Sequence, residues 1–105
     1  MTPRMLLDVV VDTVSDLWQV APREVLSDAR RPAVVVARTA CVLVADIACE
    51  QLSLKISQRA VAAHLRRHPS SIADAHARGE HLYRTSTVFS RLVDESVERT
   101  ITQLR

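Results

Sequence analysis

A single glycine in 105 residues leaves the chain without a glycine-rich phosphate loop and with few positions that need a positive φ. Aromatic residues make up only 3% of it, and there are just two cysteines. Cys41 and Cys49 lie eight positions apart within one predicted helix, which sets their Cα atoms about 12 Å apart, beyond the roughly 7 Å a disulfide spans. Both are therefore expected to be reduced, buried thiols. No charged segment followed by an apolar stretch opens the sequence, and a cytoplasmic protein is the expectation. Residues 32–49 are the one membrane candidate, but that run starts at Pro32, is interrupted by Arg38 and Asp46, and barely reaches the roughly 20 residues a span requires. A central core helix is the better reading. The length excludes a multidomain enzyme and suits one domain, whose folding would bury roughly two thirds of the unfolded surface.

What the chain does have is 48% apolar and 25% charged residues, rich in Ala, Leu, Val and Arg, a composition that favours helices. Its formal net charge of +2 is unevenly spread. Residues 1–54 hold five arginines against seven acids, a net −2, whereas residues 55–84 hold Lys55, Arg59, Arg66, Arg67, Arg78 and Arg84 against only Asp74 and Glu80, a net +4. A local positive field of this kind suits a polyanionic partner, although a solvated basic face produces the same pattern.

Hydrophobic periodicity divides the chain into helices. Thr2 and Pro3 read as an N-cap and first-turn proline, followed by a stripe through Leu6, Val9, Val10, Thr13, Val14, Leu17 and Trp18. Val20 to Pro22 ends that helix, and a short helical piece over residues 23–26 should turn Val25 and Leu26 inward before a polar joint at residues 27–32. Residues 33–52 are apolar around most of their circumference, as expected of a helix enclosed by others. Ser57 is a cap for a short helix reaching Leu65, with Val61 and Leu65 facing in and Gln58, Arg59 and Ala62 facing out. Arg66, Arg67 and His68 form a turn, with His68 as the N-cap and Pro69 as the first residue of the next helix. On that helix Ile72, Ala75, His76, Gly79, Leu82 and Tyr83 share one stripe, while Ser70, Asp74, Arg78 and His81 lie opposite. Thr85 to Thr87 break the pattern before a last helix with Phe89, Leu92, Val93, Val97, Ile101 and Leu104 on one face. The expected fold is all-α, a bundle of about six helices in one domain, with a helix-turn-helix over about residues 57–84.

Neither metal nor catalytic chemistry finds a pattern here. His64 and His68 have a zinc-like spacing, but a turn separates them, no Cys is near and no HExxH motif occurs. Serines and histidines lack a strained elbow, an oxyanion site or an obvious orienting carboxylate, and Asp94 with Glu95 reads as a solvated helix face. No cofactor is implied and an enzyme is not expected.

The segments VAPREVL (20–26), SDARRP (27–32), VVVARTACVLVADIA (34–48), SQRAVAAHL (57–65) and RHPSSI (67–72) occur in a telling order. Over residues 6 to about 100 that order resembles the C-terminal DNA-binding domain of the bacterial replication initiator DnaA, in the Trp-repressor-like helix-turn-helix group. The resemblance implies a minor-groove role for Arg30 in the basic loop beside Arg31, and backbone contacts for Arg38 and Arg67. Ser70 and Ser71 stand in place of the signature threonines. His68 and Pro69 replace an Asp and a His that read bases, and a shorter turn containing Arg66 replaces a Gly-Gly pair, so the usual initiator box is not the expected target.

The residues expected to meet duplex DNA are thus Arg30, Arg31, Arg38, Arg59, Arg66, Arg67, His68, Ser70, Ser71, Asp74 and Arg78. The function expected is sequence-specific double-stranded DNA binding, as a transcription regulator such as one of a phage or phage-derived gene cluster, or as the DNA-binding part of a longer protein. Transcription machinery or another regulatory protein is the second partner class. The competing reading is a helical protein-interaction module that has lost base readout.

Overall fold

Capping chemistry sets the helix starts. Thr2 accepts the Met5 N–H at 3.2 Å and opens α1 (Pro3–Trp18), which ends where Gln19 turns left-handed at φ 56°. A four-residue turn, α2 (Pro22–Val25), leads through a loop to α3 (Pro32–Gln51). Ser57 accepts the Ala60 N–H at 3.0 Å to start α4 (Gln58–Leu65), and Arg66, left-handed at φ 57°, stops it. His68 caps α5 (Pro69–Thr85) through its ring Nδ1, which accepts the Ser70 N–H at 3.2 Å. The predicted break over residues 85–87 narrows to Ser86, whose extended backbone ends α5 while its hydroxyl caps α6 (Thr87–Leu104). This computed structural model describes residues 1–105, with six α-helices and no strand.

α3 lies at the centre and packs against α1, α5 and α6. Leu6, Val10 and Val14 of α1, Val34 and Val44 of α3, Leu65 of α4 and Val93 of α6 are fully buried. Each such side chain contributes about 1.5–3 kcal/mol by leaving water. Gly79 lets α5 approach α3 closely: a Cβ there would sit 3.3 Å from the Leu43 Cβ. α3 is also the one helix long and apolar enough to cross a membrane, and here that apolar surface is taken up by its neighbours.

α1 and α6, the first and last helices, pack on each other. Trp18 meets Phe89 edge to face at 5.9 Å, and Arg99 on α6 pairs with Asp16 on α1 at 3.0 Å. Cys41 and Cys49 are free and buried, and burial pushes the Cys41 thiol up to about 12.

Two inward or outward assignments need correction. Ala62, expected at the surface, is 1% exposed because α4 packs against both α5 and α1 and so buries more than a single stripe. Tyr83, expected in the core stripe of α5, is 37% exposed and donates its hydroxyl to Asp94 of α6 at 2.6 Å. Leu82 keeps its contact with the core, while the amphipathic Tyr83 ring lies at the surface and bridges α5 and α6.

Candidate nucleic-acid interface

The loop between α2 and α3 is built from hydrogen bonds that start with its own serine. Ser27 Oγ donates to the Glu24 carbonyl at 2.7 Å and accepts the Ala29 N–H at 3.0 Å. Arg38, one turn and a half into α3, reaches back into this loop. Its Nε donates to the Val25 carbonyl at 3.0 Å, and its Nη2 faces the carbonyls of Ser27 at 2.8 Å, Ala29 at 3.2 Å and Glu24 at 3.4 Å. Arg67, in the turn between α4 and α5, completes the tether with a bond from Nη2 to the Ser27 carbonyl and an ion pair with Asp28 at 3.5 Å. The basic loop is therefore fastened to α3 on one side and to the turn between α4 and α5 on the other.

This architecture changes the parts assigned to two arginines. Of the two arginines expected as backbone contacts for DNA, Arg38 directs most of its donors to the protein's own carbonyls, and Arg67 is engaged by the Ser27 carbonyl and the Asp28 carboxylate. The Arg67 side chain is only 18% exposed. Its Nε is buried without a partner. Burial first, and then the neighbouring charge of Arg67, pull Arg38 below its ordinary value. Arg31 is also engaged: it pairs with Glu24, whose carboxyl its hydrogen bond holds below the ordinary carboxylate range.

The loop, α3 and α5 enclose a cleft of about 250 Å³. Arg30, Arg38, Arg67 and Arg78 line it together with Ser71 and Asp74, which brings six of the eleven predicted residues to one place. Arg30 and Arg78 are exposed and form no ion pair. Arg59 on α4 and Arg66 in the turn that follows it are likewise exposed and unpaired, but outside the cleft. His68 and Ser70 also lie outside it and face each other: the Ser70 hydroxyl sits 2.8 Å from His68 Nδ1. Because that nitrogen already accepts the Ser70 N–H, the hydroxyl is the donor in this second bond. The Ser71 hydroxyl, at the start of α5 and in the cleft, makes no hydrogen bond within the protein.

Sequence reasoning missed Ser27, Asp28 and Glu24, the groups that shape the loop and pair its arginines. Only the local Ser-x-Ala turn spacing pointed to any of them. It also missed a carboxylate–imidazole–carboxylate contact, in which His76 of α5 meets Asp46 of α3 through Nε2 and Glu80 through Nδ1, each at 2.9 Å. No hydroxyl or thiol hydrogen-bonds to that ring, so the contact ties α5 to α3 without presenting a nucleophile. His64 similarly joins α4 to Asp8 of α1 at 3.2 Å. Compared with known proteins, the chain matches no family model and no curated protein.

Proposed function

We propose that the protein is a non-catalytic module that binds duplex DNA, acting as a cytoplasmic transcription regulator or as the DNA-binding part of a longer protein. One observation carries this reading: the unpaired Arg30 and Arg78 converge on one cleft beside the first turn of α5, and Arg59 on α4 and Arg66 in the following turn are further exposed, unpaired cations. In a DnaA-like arrangement α5 enters the major groove, Arg30 reaches the adjacent minor groove, and the exposed cations of α4 and the turn meet phosphates. Ser71 is then the side chain best placed to touch a base edge.

Fluorescence titration of a labelled duplex at several salt concentrations tests this reading. Four phosphate contacts imply a log–log slope of about −4. Absence of binding at low salt, or a flat salt response, favours the protein-interaction module instead. Selection of bound sequences from random duplexes then reports what is read.

A further inference from the structure

The arginine cleft has features that general attraction to DNA does not require. Two of its guanidinium groups, those of Arg38 and Arg67, are held by loop carbonyls, so they are preorganised rather than free surface arms. They stand close enough for the charge of one to disfavour the charge of the other. The one carboxylate in the lining, Asp74, forms no ion pair with any of the four. At about 250 Å³ the space falls below the roughly 300 Å³ where pockets for drug-sized molecules begin. An occupant of this cleft is therefore small and anionic.

We propose that the cleft is a seat for a single phosphate group, carried by inorganic phosphate or by the phosphoryl end of a small molecule. Arg30 reaches it from the loop, Arg78 from α5, and Arg38 and Arg67 form its fixed wall. A doubly charged oxyanion there offsets the repulsion between Arg38 and Arg67 and accepts charge-assisted hydrogen bonds from planar guanidinium groups, whose geometry matches phosphate oxygens. Ser71, unpartnered at the cleft, adds a neutral donor. The seat goes beyond the DNA reading and does not depend on it.

Isothermal titration of the full chain with inorganic phosphate at constant ionic strength, beside thermal melting, tests the seat. Saturable binding and a rise in Tm with phosphate, but not with equal ionic strength of chloride, are expected. Arg30→Gln and Arg78→Gln alter exposed, unpaired side chains and leave the fold intact; each should weaken phosphate about tenfold. Arg84→Gln, an exposed arginine of α5 outside the cleft, should leave the affinity unchanged. Non-saturable binding, or an equal loss in all three variants, overturns the seat. A duplex competition separates the sources of phosphate. Displacement of duplex by phosphate means that the seat also takes a backbone phosphate, whereas saturable phosphate binding with unchanged duplex affinity assigns it to a small phosphorylated molecule. Duplex binding without phosphate saturation rejects the seat and leaves the DNA reading standing; phosphate saturation without duplex binding does the reverse.

Discussion

Arg67 donates to the carbonyl of Ser27, forty positions earlier in the chain, and so ties the turn between α4 and α5 to the basic loop. The bond makes the position of Arg30 depend on a residue of the other segment. A charge that reads from sequence as a surface contact is thereby part of the scaffold for its neighbours.

Arg67 and the adjacent Arg66 are accordingly expected to behave differently when replaced. Arg67→Ala removes the loop tether and should lower stability by about 1–2 kcal/mol as well as weakening binding to selected and unrelated duplexes alike. Arg66→Gly removes an exposed, unpaired charge and also relieves a left-handed backbone, so it should raise stability by about 1 kcal/mol while reducing the salt slope by about one unit. Denaturant unfolding run beside the DNA titrations checks both signs.

The two serines at the start of α5 divide in a similar way. Ser70 hydrogen-bonds to the cap His68, so Ser70→Ala should lower Tm slightly and leave sequence preference unchanged. Ser71→Ala should keep Tm and lose about 1 kcal/mol on a selected site, with almost no change on an unrelated duplex. A Ser70→Ala protein with altered preference and unchanged melting would reverse these assignments.

Arg30 is exposed at the rim of the cleft, on a loop held from two sides. As a minor-groove arm, its replacement by Ala should reduce affinity most on sites whose flanks are A·T-rich and narrow in the minor groove. Equal losses on A·T-rich and G·C-rich flanks would reduce it to a phosphate contact.

Cys41 gives the fold an alkaline limit. Its folded value of about 12 lies above the ordinary value of 9.0, so the unfolded chain loses this proton first. The stabilisation is complete below pH 9 and declines progressively as the pH rises from about 9 towards about 12. Urea midpoints measured across that range should fall more steeply for the wild type than for Cys41→Ala. Native Cys41 should also resist thiol reagents at pH 8 until the protein is unfolded.

Caps and hydrophobic period were legible because they are local. Thr2, Ser57 and the His68–Pro69 pair mark helix starts through bonds to groups two or three residues away, and their helices begin where the pattern places them. The joint at Ser86 was legible only as a break over residues 85–87, since Thr85 and Thr87 differ too little from Ser86 in type to show that a single extended residue separates the two helices. Ser96 and Thr100 of α6 are buried beside the apolar stripe, and their hydroxyls hid them from a pattern built on hydrophobicity; Ser96 satisfies its own by donating to the Leu92 carbonyl at 2.7 Å. The arginines of the candidate site were identifiable as charges, but not as partners. Whether Arg38 faces solvent or gathers loop carbonyls up to 14 positions behind it depends on the path of residues 26–31, which no periodicity encodes.

The pairing of α1 with α6 orders events during synthesis. Trp18 and Asp16 emerge before their partners Phe89 and Arg99, which come from the last of these six helices to be translated. Until then the apolar helix α3 has one flank without cover, and the growing chain can present a sticky surface to anything nearby. Closure of the core is therefore a late step that brings distant parts of the chain together, and a break anywhere before α6 should yield a fragment that aggregates rather than a smaller working domain.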